Sequence, residues 1–134
     1  KETSGIKMSG WDSWAKIALH DKCADNCGIY GLDGQEWGRA GEDFKVTPKE
    51  VQEIVASLTG TPKTSLHVAG IKYIVLNQIK DELLRGKAAE KGLTALKGKS
   101  YLLISQYNNS GVISPGNNCK QAYQLKDQLD GQQF

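Results

Sequence analysis

The order of elements legible in this sequence predicts an α+β domain built on an antiparallel sheet. Strand-like runs cluster between a helical segment near each end, without the strict strand-helix alternation of a parallel sheet. The strands come in pairs joined by tight-turn residues, as at Asp33-Gly34 and Ala69-Gly70, the signature of hairpins. A chain of 134 residues, 39% of them hydrophobic, makes one domain that buries about two thirds of its unfolded surface.

Each element has its own local cause. KETSGIK, residues 1–7, precedes the only methionine, Met8, and reads as an expression remnant or trimmed segment, leaving 8–134 as the domain. In the N-terminal helix Trp11, Trp14, Ala15 and Ala18 share a face flanked by Ile17 and Leu19, while Asp12, Lys16 and Lys22 are expected to face away. "CGIYGLDGQEWGR" gives a strand, an Asp33-Gly34 turn and a return strand carrying Trp37. In "VTPKEVQEIVASL" Thr47 caps a helix, Pro48 takes its first position and Glu50 closes a capping box, ahead of Val51, Ile54, Val55 and Leu58 at helical spacing. "SLHVAGIKYIVLNQI" predicts two strands about Ala69-Gly70, followed by "ELLRGK" and by "GLTALKGKSYLLISQY", a further pair joined near Gly98. "SPGNNCKQAYQLKDQL" supplies turn residues, an Asn cap and a helix striped by Ala122, Leu125 and Leu129. No internal repeat or low-complexity linker interrupts the series.

Charge and motif narrow the function classes. Seventeen basic against fifteen acidic residues leave a net charge of +2, too little to imply a nucleic-acid partner. No apolar run reaches the roughly eighteen residues of a membrane span, and no basic-then-apolar leader is present, so a cytosolic protein with no integral membrane association is expected. Cys23, Cys27 and Cys119 then read as reduced, small buried thiols. His20, Cys23 and Cys27 lack the paired spacing of a zinc site, and His67 and Cys119 would have to complete it from afar; no metal is expected. Asn108-Asn109-Ser110 is a glycosylation sequon by letters alone. "GLTALKGKS" ends like a phosphate-binding loop, but Leu93 stands where the first glycine is required, and a strand, not a helix, follows. His20 and His67 lie in no recognisable nucleophile or base context, so no enzyme and no cofactor is expected.

Trp11, Trp14 and Trp37 are all the tryptophan the chain has. Such rings usually bury in a core. They also suit a shallow groove floored by small residues such as Ala15, which would dock the rigid polyproline II form at little entropic cost. The residues alone leave both readings open.

Taken in order, Ser9-Gly10-Trp11, "QEWGR", the capping-box helix, "SLHVAGIKYIVL", "LLRGKAAEKGLTALKGK" and "SPGNNC" resemble the profilin family over Ser9 to Phe134. The spacing of the "RGK" and "SPG" regions looks closer to plant and protist profilins than to the longer vertebrate form. The resemblance implies a central antiparallel sheet with the terminal helices on one face and smaller helices on the other. It implies a monomeric, cytoplasmic, cytoskeletal protein that binds the barbed-end face of monomeric actin, promotes nucleotide exchange, and docks proline-rich partners such as filament elongators. A proline-rich-peptide adaptor that does not act on actin is the alternative.

Carried over by position, the proline groove is Trp11, Trp14, Trp37, Leu129 and Phe134, with Gln128 beside them. Phe134 replaces a common tyrosine, and the missing hydroxyl is a loss of about 1 kcal/mol where no water compensates. Gln128 stands where many relatives have His or Tyr, and Trp14 replaces a more usual tyrosine. The actin face takes in Lys72, Tyr73, Val75, Asn77, Arg85 and Lys87, with Ile113, Gly116, Cys119 and Tyr123 around the start of the last helix. Asn77 sits where several relatives carry a charge. Arg85, Lys87, Lys97 and Lys99 are the expected contacts for phosphoinositide headgroups.

Overall fold

The computed structural model describes residues 11–19, 23–41 and 44–131. Residues 11–17 form helix α1. A hairpin of β1 (Asn26–Gly31) and β2 (Glu36–Ala40) follows, then α2 (Pro48–Thr59). Five strands come next, β3 (Ser65–Val68), β4 (Ile71–Ile79), β5 (Leu83–Ala88), β6 (Lys91–Lys97) and β7 (Tyr101–Tyr107), before α3 (Pro115–Gly131). The strands make one antiparallel sheet in the order β2-β1-β7-β6-β5-β4-β3. Strands β3 to β7 run as a meander, and β7 then pairs with β1 from Asn26↔Gln106 to Gly31↔Tyr101. That long-range pairing carries the N-terminal hairpin into the sheet.

Local chemistry builds the elements as the sequence predicts. Gly34, at φ +104°, turns the first hairpin and donates its N–H to the Gly31 carbonyl at 2.9 Å. At α2 the Thr47 hydroxyl accepts from the Glu50 N–H, and the Glu50 carboxylate accepts from the Thr47 N–H. The same carboxylate accepts from Ala69 N–H at 3.0 Å and Gly70 N–H at 2.9 Å. It thereby holds the β3–β4 turn, where Ala69 itself has φ 52°. One side chain caps a helix and ties down a hairpin 19 residues away.

The sheet carries a core on each face. On one, Val51, Ile54 and Leu58 of α2 pack against Tyr30, Leu66, Tyr73, Leu84, Leu93, Leu102 and Ile104. On the other, Ala15 and Ala18 of α1 and Ala122, Leu125 and Leu129 of α3 pack against Cys27, Ile29, Leu96, Tyr101 and Leu103. The terminal helices thus share a face. Among the described residues α2 is the helix opposite them, where the family resemblance implied several. Because both faces are covered, every residue of β1 and β7 is buried.

Three expectations are corrected. Helix α3 begins at Pro115 and is capped by Ser114, whose hydroxyl accepts from Asn117 N–H, rather than by an asparagine. Asn118 is fully buried instead. It accepts from the Thr94 hydroxyl and donates to Ser105 Oγ and the Cys23 carbonyl, so all its contacts anchor α3 to the sheet and to the chain before β1. Asp12 does not face away: its Oδ1 accepts from Arg39 N–H at 2.8 Å, satisfying an edge-strand donor. Ala15 is wholly buried, so it lies beneath the helix and floors no open groove. His20 and Lys22 fall outside the described residues.

Candidate functional site

Two surfaces stand out, one at the β2 edge of the sheet and one toward its β3 end. At the β2 edge, Trp11 and Trp37 lie with ring centroids 4.9 Å apart and planes tilted by 45°. A bulge makes this possible. Ile29 pairs with Gly38 and Tyr30 with Glu36, which leaves Trp37 as the extra residue of β2. In an unbroken strand Trp37 and Gly38 would point to opposite faces; the bulge turns Trp37 onto the α1 side, against the same cluster as Trp11 and Trp14. All three indoles are half-buried, each keeping apolar surface in water. Of the other residues expected there, Gln128 is exposed on the last turns of α3. Leu129 is fully buried and supports α3 from beneath rather than offering a contact. Phe134 lies outside the described residues.

The opposite surface is the α3 side of β4 and of the adjoining part of β5, beyond the strands on which α3 mainly packs. Helix α3 packs on β6 and β7, so Ile74, Leu76 and Ile79 of β4 are left 60%, 57% and 48% exposed. Cross-strand pairing sets Lys87 opposite Ile74 and Arg85 opposite Asn77, with Lys72 opposite His67 on the next strand. Leu76 is again a bulge residue, between the Val75↔Gly86 and Asn77↔Arg85 pairs. The result is an aliphatic patch rimmed by Lys72, Arg85 and Lys87. At its α3 border Gly116 is exposed, Cys119 and Tyr123 are half-buried, and the Tyr123 hydroxyl donates to Glu82 Oε2 at 2.6 Å. Burial first, and then that hydrogen bond and the Glu82 charge, push the Tyr123 hydroxyl well above the usual phenol value, so it stays a donor at neutral pH.

Two strand residues expected on this surface belong elsewhere. Tyr73 is buried in the α2 core, its hydroxyl accepting from Gln106 Nε2 at 3.2 Å, and Val75 packs against the same core. Ile113 is buried too. The missed residues are Ile74, Leu76 and Ile79. Their signal is a strand apolar in both alternation phases next to the edge of a sheet, where only one face finds a helix.

A sequence profile described as Profilin matches residues 9–134. The chain belongs to the profilin family. Profilin-1 of Caenorhabditis elegans is 29% identical over 114 residues, 80% of this chain and 86% of that one. Among solved structures, Acanthamoeba castellanii profilin IB superposes with a TM-score of 0.83 at 26% identity, over 92% of this chain and 99% of the other. Schizosaccharomyces pombe profilin gives 0.80 at 25% identity with the same coverage.

Within this profilin domain the four cations expected to hold phosphoinositides do not form one cluster. Arg85 pairs with Thr94, which bonds to α3, so Arg85 and Lys87 share the α3 side. Lys97 lies three residues beyond Thr94, roughly 10 Å along the strand and on the α2 side by alternation. Lys99 is in the β6–β7 turn, where its charge acts on Asp130. That turn joins two strands, with Gly98 N–H donating to Tyr101 O, so "LKGKS" is not a phosphate-binding loop between strand and helix. Among the described residues no group of three or more His, Cys, Asp and Glu could hold a metal ion, and no helix is long and apolar enough to cross a membrane. Cys27 is a fully buried thiol, pushed far above its usual pKa by burial, while Cys23 and Cys119 are half-buried.

Proposed function

We propose that this profilin binds monomeric actin at its barbed-end face through the α3 side of β4 and β5 and the adjoining start of α3. The observation that carries the reading is the set Ile74, Leu76 and Ile79, each about half exposed or more, rimmed by Lys72, Arg85 and Lys87. Apolar residues hold a partner and cations steer an acidic one toward it. A LokiProfilin2 has been solved with rabbit actin, and at 22% identity its likeness to this chain is one of fold. Promotion of nucleotide exchange, a cytoplasmic and cytoskeletal location, and a monomeric, non-enzymatic mode of action belong to the same proposal. Phosphoinositide headgroups would meet Lys72, Arg85 and Lys87, in competition with actin for the same cations.

The aromatic platform of Trp11, Trp14 and Trp37, with Gln128 of α3 beside it, takes proline-rich segments such as those of filament elongators, and Phe134 is carried into the same proposal by the family resemblance alone. A mouse profilin IIa has been solved in complex with a double repeat from the FH1 domain of mDia1; it is 19% identical to this chain. Flat indole faces match the ring faces of a polyproline II ligand.

The decisive experiment measures spontaneous assembly of labelled actin with rising amounts of this chain. Assembly slows if the monomer is bound, and the double reversal Arg85→Glu with Lys87→Glu, like Leu76→Asp alone, weakens binding by about tenfold or more. Parent-like affinity in both variants would misassign the face. Because the platform lies at the β2 edge, remote from β4, it can act alone. Binding of a proline decamer with no effect on actin would select the second reading, a proline-rich-peptide adaptor.

A further inference from the structure

We infer that Gly38 and Asp12 are positioning residues for proline recognition: the missing side chain at the β2 bulge seats the backbone of α1, and the Asp12 carboxylate locks it there, so that Trp11 meets Trp37. The inference rests on the reading of the aromatic platform as a proline site.

Three contacts in one tripeptide carry it. Trp37 is the extra residue of the bulge and lies against Trp11 in a tilted ring contact. A Cβ at Gly38 would overlap the Trp11 carbonyl carbon and stand 2.6 Å from Trp11 Cβ and 2.7 Å from Asp12 N. These are backbone atoms and the root of a side chain, so no rotamer change relieves the overlap and the helix itself must withdraw. The next residue, Arg39, gives its N–H to Asp12 Oδ1 at 2.8 Å. The helix is therefore both admitted and fastened within two residues of Trp37. Any side chain at Gly38 lifts Trp11 off Trp37 before a ligand arrives, and a platform that must re-form on binding has lost its preorganisation. Strand β2 lies at the sheet edge, so the displacement falls on α1 and its seat rather than on the rest of the sheet.

The test titrates a proline decamer against tryptophan fluorescence in the parent, Gly38→Ala, Gly38→Val, Asp12→Asn and Asp12→Ala, with thermal unfolding and the tryptophan-tryptophan exciton couplet in circular dichroism read on each. The expected result is weaker binding by about fivefold in Gly38→Ala and by more in Gly38→Val, with the couplet reduced and the unfolding temperature lowered in step, because α1 withdraws with Ala15 and Ala18. Asp12→Asn retains an acceptor and behaves like the parent, whereas Asp12→Ala falls with the glycine variants. Should Gly38→Val fail to fold, the Asp12 pair still decides. Parent-like affinity and an unchanged couplet in Gly38→Ala and Asp12→Ala overturn the inference while leaving the proline site standing. A parent that does not bind the decamer removes both, and is told apart by that control.

Discussion

Asp130 shows how single side chains finish the C-terminal helix. Its carboxylate accepts from the Tyr101 hydroxyl at 2.7 Å and from Lys126 at 2.8 Å, next to the turns that carry Gln128 and Leu129. Partial burial opposes ionisation, but hydrogen bonds from Lys126 and Tyr101 and the charges of Lys126 and Lys99 outweigh it, and the group titrates below its ordinary 3.8. A carboxylate whose pKa falls on folding stabilises the fold above the unfolded value and loses that contribution as pH drops through the folded one. Asp130→Asn is therefore expected to cost about 0.5 kcal/mol in urea unfolding at neutral pH, the scale of a half-exposed pair, and progressively less as the pH is lowered below the ordinary carboxylate range. Asn118 is the harder case because nothing exposed compensates. Asn118→Ala strips partners from Thr94, Ser105 and the Cys23 carbonyl at once, and a loss of about 2–4 kcal/mol is expected by the same measurement.

At the scale of elements, the joints between helix and sheet matter more than helix propensity. Glu50 serves two elements, so its removal should exceed the cost of an ordinary cap. Thr47→Ala is expected to lower stability by about 1 kcal/mol, the usual value for a lost cap. Glu50→Ala loses the reciprocal bond and leaves the Ala69 and Gly70 amides without their acceptor, for roughly twice that in chemical unfolding. Equal costs for the two would show that the β3–β4 turn does not depend on α2. Both bulges are likewise joints. One frees Trp37 and the other Leu76 from strict alternation, and each of those residues stands in a candidate site.

Over the whole molecule the two candidate sites sit at β2 and β4, five strand spacings apart in the sheet order, or roughly 24 Å. Sites so far apart with no shared side chain are expected to act additively. The proline decamer should bind the actin-bound chain within about twofold of its affinity for the free chain, measured by fluorescence with and without saturating actin; a larger difference would mean that α3, which borders both, transmits between them. The distribution of sites also explains what could be read in advance. The first hairpin and the α2 cap were legible because each depends on hydrogen bonds closed within three or four residues of Gly34 and Thr47, and the turn at Ala69-Gly70 because glycine suits the positive φ found there, although the Glu50 carboxylate that holds it was not. The buried stripe of α3 was legible too, since Ala122, Leu125 and Leu129 follow the helical period. Residue types alone also brought three tryptophans forward as a possible platform. Tertiary structure decided which side of β4 was left open, because that depends on where α3 stops across the sheet, and it moved Tyr73 and Val75 inward while exposing Ile74 and Leu76. It decided as well that Trp37 joins Trp11, since a bulge is a mismatch between two strands and leaves no mark in either one alone.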